Sequence, residues 1–375
     1  MIHPPLSIYI HIPWCIHKCP YCDFNSHQIK TTLPETEYIA ALLADLDQEL
    51  PKISDRNINS IFIGGGTPSV LSADMLAKLI SGVKARLPVT NNAEITMEVN
   101  PGTIDRLQGF YTAGINRLSL GIQSFNDSNL QNLGRIHNSS GAEQSIKTAT
   151  QVGFNNLNLD LMFGLPSQTV ADALEDLHTA IAYQPSHLSW YQLTIEPNTF
   201  FHTKPPENLP NDDLLWEIQT AGQKYLATQG YLQYEISAYA KLGKQCQHNL
   251  NYWKFGDYLG IGAGAHSKIT INDKITRFHK PNHPNIYLQN SLPIEPKTLT
   301  NEDIVLEFMM NALRLLDGFT EEEFIKNTGL DISIIEKQLQ QAYAKDWLKK
   351  NYKSISATEN GIRLLNNLLE LFMPN

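Results

Sequence analysis

The sequence predicts an α/β fold: a partial (β/α)6 barrel followed by a small C-terminal domain that is helical and winged-helix-like. Over the first 200 residues, six short apolar and β-branched segments alternate with helical ones, and from about residue 300 the helical pattern dominates. This alternation indicates parallel βαβ units with right-handed crossovers. Six units are fewer than the eight of a closed barrel, so we expect an open one.

The first half of the chain holds the six predicted strands. Their nearly continuous apolar runs are typical of strands buried on both faces. Between the first two, residues 36–50 carry Leu42, Leu43 and Leu46 at helical spacing, and Ser72 is the predicted N-cap of the next helix. The strands are SIYIHI (7–12), SIFIGG (60–65), EITMEV (94–99), RLSLGIQ (117–123), NLNLDLMFG (156–164) and HLSWYQLTI (187–195).

We divide the chain into three parts: a barrel core over residues 1–200, a connecting segment over 201–298, and the C-terminal domain over 299–375. The connecting segment begins with the Pro-rich stretch FFHTKPPENLP. It contains two motifs rich in Gly, aromatic and polar residues, HNLNYW (248–253) and GAGAHS (262–267). In the last part, helices followed by a predicted hairpin indicate a winged-helix-like domain.

The composition is that of an ordinary globular protein, with 375 residues, 42% of them hydrophobic, and a mean hydropathy of −0.27. A net charge of −9 argues against a nucleic-acid-binding surface. No apolar run approaches the ~20 residues of a membrane span, and MIHPPLSIYI lacks the pattern of a signal peptide. Four cysteines, three of them clustered, suit a reducing compartment. We therefore expect a cytoplasmic protein that binds no nucleic acid.

Three cysteines lie within eight positions of the stretch YIHIPWCIHKCPYCDFNSH (9–27). Cys15, Cys19 and Cys22 form the spacing CxxxCxxC directly after the first predicted strand. An iron–sulfur cluster held by three thiolates keeps one iron free for another ligand, and an open coordination position is typical of reactive metal centres. We favour this interpretation of the loop.

Three other interpretations of the loop stay open. A structural zinc site needs four ligands, and the fourth could be His11, His17 or His27. Cys19 and Cys22 alone could form a redox pair, which gives Cys15 no role. The three thiols could also be buried without a ligand, which would be unusual in so short a loop.

Polar residues and glycines also follow the later predicted strands. Ligands of α/β folds gather at the carboxyl ends of the strands. Each of these residues alone would be an ordinary turn or cap, but together they predict one polar rim above the cysteine loop. A carboxylate in the apolar run NLDLMFG needs a partner or a ligand. The rim comprises GGGTPS (64–69), Glu98, Asn100, Gln123, Ser124, Asp160, Thr194 and Glu196.

The CxxxCxxC loop, with Tyr21 directly before the third cysteine, resembles the radical S-adenosylmethionine (SAM) proteins. This resemblance implies a [4Fe–4S] cluster on Cys15, Cys19 and Cys22 whose free iron binds SAM, and reductive cleavage of SAM to a 5′-deoxyadenosyl radical. Further motifs, GGGTPS, GIQSFN, LDLMFGLP, YEISAYA, HNLNYW and GAGAHS, resemble the oxygen-independent coproporphyrinogen III oxidase family over nearly the whole chain. Within that family, the chain is most similar to the branch of heme chaperones.

The resemblance implies ten SAM-binding residues. Tyr9, Gly65 and Glu98 would contact the SAM on the cluster, and Glu98 or Asp160 can accept hydrogen bonds from ribose hydroxyls. The residues that would lie where the oxidases place a second SAM are Gly66, Thr67, Gln123, Arg135, Asp160 and Thr194. Arg135 can fork onto a carboxylate, although without the resemblance a solvated helix-end charge is the simpler interpretation. No catalytic residue is assigned. The set is Tyr9, Tyr21, Gly65, Gly66, Thr67, Glu98, Gln123, Arg135, Asp160 and Thr194.

The motif HNLNYW points to heme. Histidine is a usual axial ligand of heme iron, and Tyr252 with Trp253 offers an aromatic face to a porphyrin. The ordinary alternative is a buried His248, a capping Asn249 and a packed Trp253. The resemblance favours heme contact by all four residues. His266 in GAGAHS has no assigned role.

Two departures separate the chain from the oxidases. Phe24 stands where they carry a further cysteine, and almost nothing precedes the first strand, so the site should be more open. We therefore expect a protein that retains SAM-cleavage machinery but binds heme and delivers it to heme-requiring, respiratory proteins. The alternatives are oxidative decarboxylation of coproporphyrinogen III to protoporphyrinogen IX and a zinc-binding interaction protein. Implied partners are the heme acceptors, an electron donor such as flavodoxin or ferredoxin, a second copy of the chain, and the membrane through those acceptors.

Overall fold

The computed structural model describes residues 4–53 and 56–374, so Met1–His3 of the N-terminal stretch lie outside it. None of the described helices is long and apolar enough to cross a bilayer. The strands are β1 (Leu6–Ile12), β2 (Trp14–Cys15), β3 (His27–Gln28), β4 (Ile58–Gly65), β5 (Val89–Val99), β6 (Arg117–Gln123), β7 (Leu157–Phe163), β8 (His187–Gln192), β9 (Leu232–Glu235), β10 (Ala238–Ala240), β11 (Asp257–Ile261), β12 (His266–Ile271), β13 (Lys274–His279), β14 (Ile294–Thr298), β15 (Phe319–Thr320), β16 (Leu348–Asn351) and β17 (Ser354–Ala357).

The α-helices lie mostly between these strands, as a βα repeat requires. They are α1 (Glu35–Ile53), α2 (Ala73–Arg86), α3 (Leu107–Thr112), α4 (Asp127–Asn132), α5 (Ser139–Val152), α6 (Val170–Ala182), α7 (Phe200–Thr203), α8 (Asp212–Thr228), α9 (Gln247–Trp253), α10 (Pro284–Gln289), α11 (Asn301–Ala312), α12 (Glu321–Thr328), α13 (Glu336–Ala344), α14 (Glu359–Arg363) and α15 (Leu365–Glu370).

The six predicted strands lie side by side and parallel, in the order β1-β4-β5-β6-β7-β8. Their apolar residues are in register, so that Ile8 lies opposite Ile61 and Ile61 opposite Ile95. These side chains are buried in the core between the strands and the covering helices. The predicted α/β fold with a partial barrel is therefore confirmed.

The sheet continues beyond the predicted strands on both sides. β11 pairs parallel with β1, and β12, β13 and β14 follow it antiparallel. On the far side, β10 and β9 are antiparallel to β8. A buried carboxylate fixes the position of β11, because Asp257 accepts hydrogen bonds from Lys268 Nζ at 3.0 Å and from Arg56 Nη1 at 2.8 Å. The connecting segment thus completes the sheet.

Alternate residues of the barrel strands face opposite sides of the sheet. Leu118 and its apolar neighbours belong to the core shared with the helices. The other side faces the barrel interior and carries polar side chains, among them Glu94 and Glu98 on β5 and Arg117 and Ser119 on β6. The barrel therefore has a polar interior inside an apolar shell.

The C-terminal helices form a second hydrophobic cluster with the three-stranded sheet β15-β17-β16. Phe308 lies at its centre and contacts Phe255, Phe319 and Phe324 edge to face, with ring centroids 5.0–5.7 Å apart. Helices followed by an antiparallel hairpin match the predicted winged-helix-like domain. The cluster also contains Phe255, which belongs to the connecting segment, so the domain boundaries predicted from the sequence stay a prediction.

Candidate functional site

The cysteine loop leaves the carboxyl end of β1 and closes on itself. Its two ends, β2 and β3, pair with each other, and the His27 N–H donates to the Pro13 carbonyl at 2.7 Å. Within the loop, the Cys22 N–H donates to the Cys19 carbonyl at 3.1 Å. These backbone hydrogen bonds hold the loop so that both of these cysteines and Cys15 line one cavity.

The three thiols are unpaired and have unlike surroundings. Burial raises the pKa of the Cys15 and Cys22 thiols. Cys19 Sγ accepts a hydrogen bond from Arg135 Nη1 at 3.4 Å. Metal binding requires thiolates. The loop thus presents three thiols, one of them next to a fixed positive charge.

A zinc site on this loop would need a fourth ligand besides the three cysteines, and His11 was one of the predicted candidates. Within residues 4–53 and 56–374, no group of three or more His, Cys, Asp or Glu side chains is arranged to hold a metal ion. His11 is also engaged, since Nδ1 bonds to the Tyr9 hydroxyl at 3.0 Å and Nε2 to the Asn25 carbonyl at 2.8 Å.

The GGGTPS backbone packs directly against the cysteine loop. A Cβ at Gly66 would lie 2.6 Å from the Trp14 carbonyl oxygen and 3.0 Å from Cys15 Sγ, closer than real side chains come. The Gly66 N–H donates to the Ile12 carbonyl at 2.8 Å, and the Thr67 N–H donates to the Trp14 carbonyl at 2.7 Å. Glycine is therefore required here because the backbone itself forms the wall beside the sulfur.

Most of the predicted SAM residues line the same cavity as the cysteines, with a volume of about 270 Å³. Tyr9 lines two neighbouring cavities that share Glu98 with the first. Thr194 is exposed beyond the end of β8 and does not line the cysteine cavity. Their contacts with SAM stay a prediction. The residues that share the cavity with the cysteines are Tyr21, Gly65, Gly66, Thr67, Glu98, Gln123, Arg135 and Asp160.

Two carboxyl groups, those of Glu98 and Asp160, line the cysteine cavity. Burial, together with the charge of Asp160, raises the pKa of Glu98 to about 8. Glu98 accepts a hydrogen bond from the Gly65 N–H at 3.1 Å. Burial also raises the pKa of Asp160, whose oxygens accept from Ser119 Oγ at 2.9 Å and from Asn158 Nδ2 at 2.8 Å. Such carboxyl groups can bind hydroxyls and become charged when a cation arrives.

Arg135 points into the cavity from the turn after α4. Its Nη2 donates to Asn100 Oδ1 at 2.7 Å and to the Gly121 carbonyl at 2.8 Å. Its Nε is buried without a partner among the described residues. The interpretation as a solvated helix-end charge is therefore wrong. A guanidinium in this place can bind an anionic group between the loop and the rim.

Other residues of this cavity were outside the predicted SAM set, among them Asn100, Ser119 and Tyr191. The Tyr191 hydroxyl donates to Gln123 Oε1 at 2.8 Å, and Gln123 itself has a left-handed φ of 71° that turns its side chain inward. Ser119 and Tyr191 could have been predicted from the alternation of side chains along a strand, because polar residues recur at every second position in RLSLGIQ and in the first five residues of HLSWYQ.

HNLNYW forms most of helix α9, whose N-terminus is held by a neighbouring strand. Its N-cap Cys246 makes no side-chain hydrogen bond to the helix. Instead, Glu94 Oε1 on β5 accepts from the N–H groups of Gln247 at 3.0 Å and His248 at 3.3 Å. A carboxylate at a helix N-terminus satisfies unpaired donors and complements the helix dipole. β5 thus carries Glu94 for this helix and Glu98 for the cavity.

His248 is buried and neutral. Its ring stacks on Phe62 at 5.0 Å, and Nδ1 lies 3.3 Å from Ser60 Oγ. Burial and the charge of Arg117 lower its pKa to about 3. In the described part of the chain Nε2 has no hydrogen-bond partner. The ring lines a cavity of about 330 Å³ together with the rest of the motif: Asn249, Tyr252 and Trp253.

Comparison with known proteins covers both parts of this architecture. Residues 9–180 match the family model of the Radical SAM superfamily, and residues 299–364 match that of the HemN C-terminal domain. The chain is 51% identical to the heme chaperone HemW of Haemophilus influenzae and also to that of Escherichia coli, over 99% of this chain and 98% of each relative. The HemW of Bacillus subtilis is 33% identical over 98% of this chain and 99% of its own length.

One solved structure matches the whole fold. Coproporphyrinogen III oxidase (HemN) from Escherichia coli, a radical SAM enzyme, aligns with a TM-score of 0.82 over 99% of this chain and 90% of that chain. The two sequences are 22% identical, so this likeness concerns the fold. The full-length sequence identity, by contrast, is to proteins named as heme chaperones.

Proposed function

The chain belongs to the HemW family of radical SAM proteins, and on that basis we propose that it binds heme and delivers it to heme-requiring proteins, respiratory enzymes among them. The proposal is supported by 51% identity that extends through the barrel, the connecting segment and the C-terminal domain. Membership of the superfamily implies a [4Fe–4S] cluster and SAM.

One structural observation carries the proposal. The HNLNYW helix lines a cavity that shares Glu98 and Asp160 with the cysteine cavity, and Nε2 of its His248 has no hydrogen-bond partner among the described residues. An aromatic cavity with a few convergent polar groups is typical of a cofactor-sized ligand site. We place the heme against this helix, with His248, Asn249, Tyr252 and Trp253 as contacts, next to the cluster and SAM.

We assign Cys15, Cys19 and Cys22 to the [4Fe–4S] cluster. When bound, such a cluster supplies an electron for the reductive cleavage of SAM, and a flavodoxin or ferredoxin would serve as its donor. Arg135 holds the Cys19 sulfur and an anionic group of SAM, while Glu98 accepts hydrogen bonds from its hydroxyls or pairs with its cationic end. The remaining SAM contacts are Tyr9, Tyr21, Gly65, Gly66, Thr67, Gln123 and Asp160.

The setting of this activity is also part of the proposal. Four unpaired cysteines suit a reducing cytoplasm. Delivery to respiratory enzymes requires contact with membrane-bound acceptors, which would bring the protein to the membrane through its partners. A second copy of the chain is also among the proposed partners.

The experiment begins with anaerobic reconstitution of the cluster in the full-length protein, followed by hemin and gel filtration. We expect a Soret band that stays with the protein, is weakened in Tyr252→Ala, and moves to heme-depleted respiratory membranes on mixing. His178→Ala, an exposed histidine on α6, is the matched control. The rival oxidase activity predicts no retained heme but SAM-dependent loss of CO₂ from coproporphyrinogen III in the presence of a reductant.

A further inference from the structure

The GAGAHS loop lies beside the cysteine loop. Asn25, three residues after the last cysteine, donates through Nδ2 to the carbonyls of Ala263 and Asn282, both at 2.9 Å. Gly264 has a φ of +80°, and a Cβ there would lie 2.3 Å from the Asn25 amide. The two loops are thus fixed against each other, with the GAGAHS backbone following the cysteine loop closely.

A cavity of about 320 Å³ opens between these loops and the HNLNYW helix. Phe24, 61% exposed, forms one wall. Tyr252 and Tyr258, stacked with ring centroids 4.1 Å apart, form another. Large aromatic surfaces of this kind pack well against a flat conjugated ring. Because Tyr252 and Glu98 also line the neighbouring cavities, this space adjoins both the cysteine site and the HNLNYW site.

Two imidazoles line this cavity, and they differ in whether their ring nitrogens are already engaged in hydrogen bonds. Both nitrogens of His11 are engaged by Tyr9 and Asn25. His266 is exposed on one side and stacks on His279, with ring centroids 5.1 Å apart and planes 19° from parallel. Within the described residues, no hydrogen bond occupies either nitrogen of His266. An accessible imidazole with a supported ring can coordinate a metal without leaving a buried partner unsatisfied.

His248 is less suited to direct coordination. It is 3% exposed and is packed against the rings of Phe62, Tyr9 and Tyr252. Iron could reach its Nε2 only if the porphyrin entered the polar barrel interior, beside Arg117 and the two buried carboxyl groups, where burying the propionates would be costly.

We propose that His266 is the axial ligand through which this protein holds heme iron, with the porphyrin lying between Phe24 and the Tyr252–Tyr258 pair. The inference rests on the proposed heme-binding function and specifies its ligand. Of the four HNLNYW contacts proposed above, Tyr252 then forms the aromatic wall of the heme cavity, and His248, whose ring centroid lies 5.1 Å from that of Tyr252, supports this wall from the neighbouring cavity, which Asn249 and Trp253 also line. The iron bond comes from GAGAHS. A ligand at the mouth of the cavity keeps the heme edge open to solvent, so an acceptor can approach and replace the bond.

The test is hemin titration of the anaerobically reconstituted, full-length protein, with the Soret band as the readout. We expect His266→Ala to weaken hemin binding about tenfold or more, and added imidazole to restore the band. His266→Met should retain heme with a shifted band, because the ligand changes from nitrogen to sulfur. His178→Ala should bind as the wild type does. In both His266 variants, the iron and sulfide content of the reconstituted cluster and the affinity for SAM should equal those of the wild type.

The outcomes separate the inference from the function it rests on. If the wild type retains no hemin, the proposed function fails and the ligand assignment fails with it. If His266→Ala and His266→Met keep the wild-type affinity and band position, the function stands and the ligand assignment is overturned. The assignment of His266 would also be overturned if His248→Ala lost the Soret band while His266→Ala bound hemin as the wild type does. That result would assign the iron ligand to the HNLNYW helix.

Discussion

Arg135 connects the two halves of the cysteine cavity. Its guanidinium contacts Cys19 on the loop and Asn100 and Gly121 on the barrel rim. Hydrogen bonds to charged groups contribute roughly 1.5–3 kcal/mol each, so this residue holds the loop against the barrel rim. Of the three loop cysteines, Cys19 is therefore the one whose substitution should affect the metal site most.

Cys19→Ala should abolish the cluster, because a [4Fe–4S] centre with three protein thiolates loses one of them. Iron and acid-labile sulfide should fall to background in the anaerobically reconstituted variant. The matched control is Cys246→Ala, since that thiol is fully buried beside Glu94 and away from the loop. Wild-type iron content in Cys19→Ala would contradict the cluster assignment.

The buried carboxyl of Glu98 should make SAM binding depend on pH. Its pKa of about 8 means that it is mostly protonated at neutral pH in the ligand-free protein. The cationic sulfonium and amino groups of SAM favour the carboxylate, so binding should release a proton. Affinity should therefore rise between about pH 6 and about pH 8 and level off above the pKa.

Calorimetry in two buffers of different ionisation enthalpy measures this proton release directly. Glu98→Gln cannot ionise and should remove the pH slope, whereas Asp160 is retained in that variant. An affinity for SAM that is equal at both ends of the pH range in the wild type would show that Glu98 does not face the ligand.

Individual site residues could be predicted only partly. Those in short motifs, such as Cys15 and Gly66, lie where the sequence placed them because consecutive residues share a loop. Tyr191 was missed and Thr194 lies exposed, since side-chain direction near a strand end depends on where the strand stops. β8 ends at Gln192, earlier than the predicted residue 195.

At the level of elements, helix α9 is stabilised by β5 more than by its own sequence. Seven residues are too few for a helix that is stable alone. The contact of Glu94 with this helix could not be predicted from the sequence, because more than 150 residues separate the two. Tertiary contacts of this kind cannot be derived from local periodicity.

Glu94→Gln should lower the free energy of unfolding by on the order of 1–3 kcal/mol, because a neutral amide binds the two helix N–H groups more weakly. The buried Arg117, 3.9 Å away, also loses its charged neighbour. Denaturant titration of the apoprotein measures the change. Glu175→Gln, on the exposed face of α6, should leave the transition where it is. Equal midpoints for the two variants would refute this account of α9.

At the scale of the whole molecule, the two hydrophobic clusters are joined through the connecting segment. Phe255, directly after α9, packs on Phe308, and Arg314 lies 4.4 Å over the Trp253 ring while bonding to Glu235 at 3.1 Å. The C-terminal helices therefore stabilise the HNLNYW region from behind.

Phe308→Ala should destabilise the protein by about 3–5 kcal/mol, because it removes a buried ring at the centre of an aromatic cluster. Since that cluster contains Phe255, heme retention should weaken together with the thermal transition, in a single cooperative step. Tyr352→Ala, at a fully exposed position, is the control. Separate transitions for the barrel and the C-terminal domain would contradict the coupling.

The parallel pairing of β11 with β1 has a consequence for how the chain is made. β1 leaves the ribosome first, but its neighbour β11 follows about 250 residues later, roughly 10–50 s at common rates of synthesis. During that interval one edge of the nascent barrel has no strand to pair with, and such edges invite association with other chains. The Asn25 contacts that fix the cysteine loop also wait for Ala263. The metal site thus reaches its final shape only after the last parallel strand has been translated.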